Sequence, residues 1–482
     1  MIQVPEGYIL IKLEEYNGLK EEIRLLKEMV ALQNEKIAKL LKTSANSSKP
    51  PSSDIVKQNK KKQNNKKRKI GGQPGHPKHE RPLYSKEDLH GLKEYELSAC
   101  PVCHHSVDID LSKNPQIIQQ AEIVNFPIQI EEHRALAYWC KNCQKHHYAE
   151  FPQEVVKAGL FKAKLTALVA YQKNVCHCSF SNIRKHLRDV LFIKVSRGYL
   201  SKIIQKVSKS LEGSYLELLK ILPLALKVNV DETGHKEKGD KFWTWVFKTD
   251  LYVLFKIDES RGSEVLIEIL GKEFNGVLGC DYFSAYRKYM KNFNITIQFC
   301  IAHLIRDIKF LTSLPDKETK EYGEELLLNV KELFKTIHDK SNMSEKNFVY
   351  KLTQAKNQII KTAIKNAPAY LNGNGKVKAG RKEVKNMVKR FVDHGESYFE
   401  FITSPGVDPT NNTAEQAIRF VVIDRLVTQG TRSINGRTAN ERLWTVIATC
   451  ALQGKSAYEF ILKSVQAYFD NTLFPSLIPN TS

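Results

Sequence analysis

Val228-Asn229-Val230-Asp231-Glu232-Thr233 is the stretch that decides the fold. Apolar residues at Leu222, Leu224, Leu226, Val228 and Val230 lead into two adjacent carboxylates. The segment from Lys241 to Lys256 follows, rich in Trp, Phe, Val and Tyr and broken near Thr249-Asp250. This pattern predicts three consecutive strands with an acid at the tip of the first. A carboxylate there is either a solvated strand end or one leg of a metal site, and acids further along decide between the two.

Beyond those strands the pattern alternates. A helix over Ser263–Leu270 leads to a strand over Gly276–Asp281, and another strand and helix run through Ile295–Phe310. Three strands followed by βα units predict a mixed sheet of α/β class. Asp281 ends Val277-Leu278-Gly279-Cys280-Asp281, the same placement as Asp231. If the first and fourth strands are neighbours, the two acids project side by side. Their repulsion is relieved by a divalent cation between them. Strand alternation sends Glu232 to the opposite face and out of that site.

Residues 311 to about 405 interrupt this pattern with charged, mostly helical sequence, and Lys376–Arg390 is strongly basic. The plain reading of that run is a solvated helix face. Then comes Asp408-Pro409-Thr410-Asn411-Asn412-Thr413-Ala414-Glu415-Gln416-Ala417-Ile418-Arg419, a helix start. Alone, Asn412 and Glu415 read as a capping box. Beside Asp231 and Asp281, Glu415 is the third carboxylate, from a separate element, that a two-metal site requires.

The chain has 482 residues, enough for several domains, with 74 Lys and Arg against 53 Asp and Glu and a formal charge of +21. An excess spread along the chain points to a polyanionic partner, nucleic acid first. There is no apolar run long enough to span a membrane and no basic-then-apolar leader at Met1–Gly7. A cytoplasmic protein is expected, with its nine cysteines as metal ligands and free thiols.

Upstream of the strands the chain reads as a series of modules. In residues 9–41 a heptad frame puts Tyr16, Ile23, Val30 and Ile37 at a, and Leu19, Leu26, Gln33 and Leu40 at d. That predicts a short, self-pairing coiled coil over 1–43, the alternative being an amphipathic helix docked on its own domain. Residues 44–83 read as a flexible basic linker. Its core, Lys57–Lys69, holds eight basic residues in thirteen, among them Lys60, Lys61, Lys62, Lys66, Lys67, Arg68 and Lys69. Such density suits phosphate-backbone contact without sequence readout.

Within 84–155, Cys100-Pro101-Val102-Cys103 and Cys140-Lys141-Asn142-Cys143 form two CxxC knuckles, with strands expected over Ile117–Phe126 and Glu131–Trp139. Cys100, Cys103, Cys140 and Cys143 are the expected ligands of a structural Zn²⁺, a closed site with no chemistry. His104, His105, His146 or His147 could stand in for one thiolate. Cys176-His177-Cys178 has a tighter spacing and reads as core and surface thiols. Residues 156–222 look all-helical, and the second and third helices could form a helix-turn-helix. Ser196 would cap the recognition helix, with Arg197, Tyr199 and Lys202 on its outer face. Plain three-helix packing fits that segment equally well. The domain sequence closes with 223–450, which carries the strands and acids, and a helical tail over 451–482.

Taken in order, these features resemble the DDE transposases of bacterial insertion sequences, in the family numbered sixty-six. The resemblance rests on Ser48-Lys49-Pro50-Pro51-Ser52-Ser53-Asp54, Gly71-Gly72-Gln73-Pro74-Gly75-His76, the two CxxC knuckles, Asp231-Glu232-Thr233, Asp281-Tyr282, Ala302-His303 and Asn411-Asn412-Thr413-Ala414-Glu415. It implies an RNase H-like catalytic core within a multidomain α+β chain, with a helical insertion before the last acid. It also implies a leucine-zipper-like N-terminus and a zinc-binding domain, and Asp231, Asp281 and Glu415 as the ligands of two Mg²⁺ or Mn²⁺ ions. Two positions depart from the family pattern: Arg425 is followed by Leu426 in place of a Lys, and Gln416 stands where Arg is common.

The expected activity is metal-dependent phosphoryl transfer on transposon ends and target DNA by a homo-oligomer. Hydrolysis frees a 3′-hydroxyl, which then attacks a target phosphodiester. Arg306, Arg419 and His303 are the expected phosphate contacts near the site. The rival readings are a recombinase with a Tyr or Ser nucleophile, a nuclease of the same fold, and a DNA-binding regulator or inactive copy without catalysis.

Overall fold

The computed structural model describes residues 11–42, 127–140, 144–378 and 380–479, with scattered positions between 85 and 105 and at 142. The chain divides into two compact units, residues 58–132 and residues 1–57 with 133–482, and the larger carries every α-helix and β-strand described. The linker lysines 60–69, the strand expected over Ile117–Phe126, Cys100, Cys103 and Cys143, and the side chain of Cys140 lie outside the described residues.

The larger unit begins with one long helix, α1 (Leu13–Leu40). Its a and d residues Tyr16, Leu19, Ile23, Leu26, Val30, Ile37 and Leu40 are all about half exposed or more. The C-terminal third touches the rest of the unit: Ala38 packs on the core, and the Glu35 carboxylate accepts the Gly380 N–H at 3.2 Å. A short antiparallel hairpin follows, β1 (Ala137–Cys140) and β2 (Lys145–Tyr148). Its first strand starts six residues later than the expected Glu131.

Five helices come next: α2 (Gln153–Ala158), α3 (Ala163–Asn174), α4 (Phe180–Asp189), α5 (Arg197–Ser210) and α6 (Glu212–Ile221). Ser179 caps α4 and Ser196 caps α5, each hydroxyl accepting a backbone N–H of the first turn.

The centre is a five-stranded sheet of β3 (Lys227–Glu237), β4 (Asp240–Lys248), β5 (Val253–Asp258), β6 (Val277–Cys280) and β7 (Ile297–Phe299), in the order β5-β4-β3-β6-β7. The β5-β4-β3 half is antiparallel, and β3-β6-β7 is parallel. Lys238-Gly239 joins β3 to β4 with both residues at positive φ, the turn geometry that suits the twist of paired strands. The parallel half needs crossovers, supplied by α7 (Ser263–Leu270) before β6 and α8 (Ser284–Phe293) before β7. The mixed sheet agrees with the class expected from the sequence, and β3 and β6, its first and fourth strands, are neighbours.

After β7 comes α9 (Ile301–Thr312), and then three helices separate it from the last acid: α10 (Lys317–His338), α11 (Glu345–Lys365) and α12 (Lys382–His394). The chain returns to the sheet with α13 (Asn412–Thr428) and α14 (Ile434–Leu452), and α15 (Ala457–Asp470) packs against α3.

The two sheet faces bury different sets. Val228, Val230, Trp245, Phe247, Leu254 and Leu278 join the main core, whereas Phe242, Val246, Val253, Phe255 and Ile257 pack against Ala414, Ile418, Val421 and Trp444 of α13 and α14. Strand β5 is an edge, and α14 closes it. Thr449 Oγ1 and Thr445 Oγ1 accept the N–H groups of Val253 and Phe255, each at 3.0 Å, and Glu441 Oε1 accepts that of Ile257 at 2.7 Å. The acceptors recur every four residues along the helix and satisfy the strand N–H groups that no neighbour strand can reach. No described helix is long and apolar enough to cross a membrane.

Candidate active site

Asp231 and Asp281 come together through strand register. β3 and β6 pair in parallel, with Asn229 opposite Gly279. Asp281 follows directly after β6, and its charge acts on Asp231. Gly279 is required here, because a Cβ would lie 2.4 Å from Nδ2 of Asn229. That amide has a task of its own: it donates to Oδ1 of Asn411 at 2.8 Å.

Asn411 is the hinge pin of the third acid. It is 1% exposed, and its Nδ2 donates to the Val230 carbonyl at 2.7 Å, one residue before Asp231. Its backbone N–H reaches Cys300 Sγ at 3.1 Å, and the Ile301 N–H donates to the Pro409 carbonyl at 2.9 Å. The start of α13 is thus stapled to β3 and to the start of α9, and Glu415 stands one turn along. The capping box is not formed. Asn411, not Asn412, precedes the helix, and its side chain makes no cap bond. Glu415 instead faces α9, with Oε1 3.5 Å from His303 Nδ1 and Oε2 3.5 Å from Arg306 Nη2.

The electrostatics of this corner are unfavourable as it stands. Burial raises the Asp231 carboxyl well above the usual range, and the charges of Glu232 and Asp281, then Glu415, raise it further. Asp281 is pushed up to about 7, first by burial and then by Glu232. Single backbone N–H groups answer each of them: Glu232 N–H donates to Asp231 Oδ1, and Phe283 N–H to Asp281 Oδ1, both at 2.9 Å.

Glu232 lies on the far face of β3, as alternation requires. Its side chain is 2% exposed, Oε1 accepts from Arg261 Nε at 2.9 Å and Nη2 at 2.7 Å, and Oε2 accepts from Tyr286 Oη. Its acceptors are taken, while its charge still acts on both aspartates.

The donor set fits a hard divalent cation. Asp231, Asp281 and Glu415 offer oxygen atoms, and Glu415 Oε1 is buried with no hydrogen-bond partner. Among the described residues the cluster with ligand atoms within 4.8 Å of one another is a different one, Cys300 Sγ, a His303 nitrogen and a Glu415 oxygen, and it shares only Glu415 with the three carboxylates. Cys300 is poorly suited as a ligand, since burial raises its thiol and its sulfur already accepts from Asn411. For His303, burial and then Arg306 lower the pKa, and Nε2 sits 3.2 Å from Arg306 Nη1. A guanidinium only donates, so Nε2 is the acceptor and Nδ1 carries the proton, facing Glu415. His303 Nδ1 lies 3.5 Å from Glu415 Oε1 without a hydrogen bond, and both atoms are buried and unpartnered.

The other expected residues are distributed differently. Arg306 is not a free phosphate contact, because it pairs with Glu415. Arg419 is exposed on α13 one turn past Glu415, and Arg197 and Lys202 are exposed on α5. Tyr199 is a correction: its hydroxyl accepts the Leu160 N–H at 3.0 Å, and its ring meets Phe161 edge-on, so it packs inward. Asn229 and Asn411 had no chemical signature in the sequence beyond their proximity to the acids. Arg390, read as part of a solvated run, is 16% exposed and paired with Asp307.

A family model described as Transposase IS66 family matches residues 158–439, more than half of the chain. The chain belongs to this transposase family. The match runs from α2 into α14 and so takes in Asp231, Asp281, Glu415 and the helices between the last two. A second model, a family of unknown function (DUF6444), matches residues 6–82 of this transposase-family chain. No curated protein matches it.

Proposed function

We propose that this member of the family is an active DDE-type transposase with an RNase H-like core, catalysing metal-dependent cleavage of the element's DNA ends and their transfer to target DNA. Asp231, Asp281 and Glu415 hold two Mg²⁺ or Mn²⁺ ions. What supports this most is that the charges of Asp281, just after β6, and of Glu415 on α13 both act on Asp231 of β3, with raised aspartate pKa values and a buried Glu415 oxygen that has no hydrogen-bond partner. When bound, the ions would offset the charge developing on the phosphate and activate the attacking oxygen.

The chain's own residues do the rest. Asn411 sets the distance of Glu415 from Asp231, and Arg306 fixes the rotamer of Glu415. Arg419, Arg197, Lys202 and the Lys60–Lys69 arm hold DNA phosphates. In the first step water adds to the end phosphorus and the 3′-oxygen leaves, taking up a proton. In the second, that 3′-hydroxyl attacks a target phosphorus in line and the target's own 3′-oxygen departs. No covalent protein–DNA link forms. The exposed a and d residues of α1 pair two protomers so that two ends are processed together.

The test is cleavage and joining of DNA carrying the element's own terminal repeats, with Mg²⁺ present and absent. Asp231→Asn and Glu415→Gln should bind the DNA and fail to cut it. Cutting at the wild-type rate by both variants would sink the assignment, and a trapped protein–DNA adduct would favour a Tyr or Ser nucleophile.

A further inference from the structure

Three guanidinium groups stack on the turn Asp281-Tyr282-Phe283: Arg287, 4.5 Å from the Tyr282 ring centroid, and Arg261 and Arg390, each of which is anchored to a carboxylate. Arg261 lies over the Phe283 ring with Cζ 3.9 Å from its centroid, and 4.5 Å from that of Trp243. The same guanidinium donates twice to Glu232, the residue after Asp231. Arg390 lies over the Tyr282 ring at 4.2 Å and donates to Asp307 at 3.0 Å. Asp307 sits on α9, one residue past Arg306 and one turn past His303, the two groups that face Glu415. The first clamp ties the Asp281 turn to the strand of Asp231, and the second ties it to the helix that orients Glu415.

We propose that Arg261 and Arg390 are positioning residues that set the spacing of the three carboxylates, so that the helical insertion, through Arg390 on α12, is a working part of the active site. This rests on the reading of Asp231, Asp281 and Glu415 as metal ligands. The physical need is plain: these acids repel one another, and a turn held only by its own backbone would relax away from Asp231. A guanidinium stacked on a ring is attracted by the ring's electron-rich face, and more strongly when desolvated. Here Arg261 and Arg390 are each also fixed by an ion pair that leaves them little freedom. Metal sites depend on such outer contacts, whose loss typically weakens metal binding about 10- to 100-fold.

The test is Mn²⁺ binding to the full-length protein without DNA, followed by electron paramagnetic resonance. Asp307→Asn/Arg390→Met removes the second clamp without stranding a buried charge, and Arg261→Lys keeps a charge while losing the planar fork. Both should weaken Mn²⁺ binding about 10-fold or more, with the near-ultraviolet circular dichroism of the wild type retained. Lys356→Met, which breaks a peripheral pair with Glu396 in the same insertion, should leave affinity unchanged. If the double variant fails to fold, Arg390→Lys is read in its place with the same expectation. Wild-type Mn²⁺ affinity in the clamp variants overturns the proposal. Asp281→Asn separates the two levels: if it also binds Mn²⁺ normally, the metal-site reading fails, whereas its loss of binding beside intact clamp variants sinks the clamps alone.

Discussion

Two places on the same sheet bury carboxylates, and they are built in opposite ways. At the β5 edge, Glu441 is 8% exposed and accepts the Ile257 N–H, with Thr445 and Thr449 continuing the row along α14. One acid there meets one otherwise unsatisfied donor, and the charges of Lys256, Arg437 and Arg442 favour its ionised form. At the β3–β6 corner, Asp231, Asp281 and Glu232 lie within each other's field and Glu415 adds to it, yet one Glu415 oxygen has no donor at all. A buried acid at an edge strand closes the fold. At the corner several acids act on one another and one oxygen, Glu415 Oε1, has no hydrogen-bond partner, an arrangement that a nearby positive charge would stabilise.

The comparison breaks most visibly by removing charge at each place. Asp231→Asn, Asp281→Asn or Glu415→Gln should lower Mg²⁺-dependent cleavage by about a thousandfold, the scale of several kcal/mol of lost transition-state stabilisation. Asp231→Asn and Asp281→Asn should hold or raise the unfolding midpoint in metal-free buffer, because one repelling charge is gone. Glu441→Gln should leave turnover per folded molecule unchanged. A drop in cleavage for Glu441→Gln equal to that of Asp231→Asn would erase the distinction.

The pH dependence of stability sharpens it. Burial pushes Glu441 up to about 7 from 4.5. The folded state thus holds this proton more tightly than the unfolded chain. Its stabilising contribution is complete below about 4.5 and is lost as pH rises through about 7. From pH 5 to pH 8 the wild type should lose up to about 3 kcal/mol from this group, and Glu441→Gln should lack that part of the slope in urea titrations. Parallel slopes for the two proteins would show that Glu441 does not titrate there.

A smaller effect is expected at the staple between the sheet and α13. Asn411→Ala deletes the bonds to Val230 and Asn229 and should cost about 2 kcal/mol, with a fall in cleavage beyond the loss of folded protein. The smallest is Thr445→Val, which leaves the Phe255 N–H without its acceptor and should cost about 1 kcal/mol in stability, with cleavage unaltered.

Much of the corner was legible from residue order. Asp231 and Asp281 each end an apolar run, and alternation alone separates Glu232 from Asp231, because successive side chains on a strand leave opposite faces. The ambiguity at Glu415 was not resolvable that way. Asn412 and Glu415 satisfy the spacing of a capping box, and only the position of Asn411, spent on Val230 and Asn229, shows that no box forms. Arg390 was illegible for a related reason: a basic residue in a basic run reads as solvated until the fold places Asp307 and Tyr282 against it. Tyr199 failed in the other direction, since a polar tip gives no hint that its ring packs on Phe161.

The amino-acid sequence by itself determined which elements form and which acids end them, because periodicity, turn residues and strand-end position are local properties. It determined the chain's positive charge, and with it a polyanionic partner. Tertiary structure alone decided that β3 and β6 are neighbours, that Glu415 faces α9 instead of its own helix start, and that Arg261 and Arg390 close on the Asp281 turn. Those outcomes depend on which distant groups compete for the same hydrogen bonds and charges, and that competition exists only once the sheet has brought them within reach.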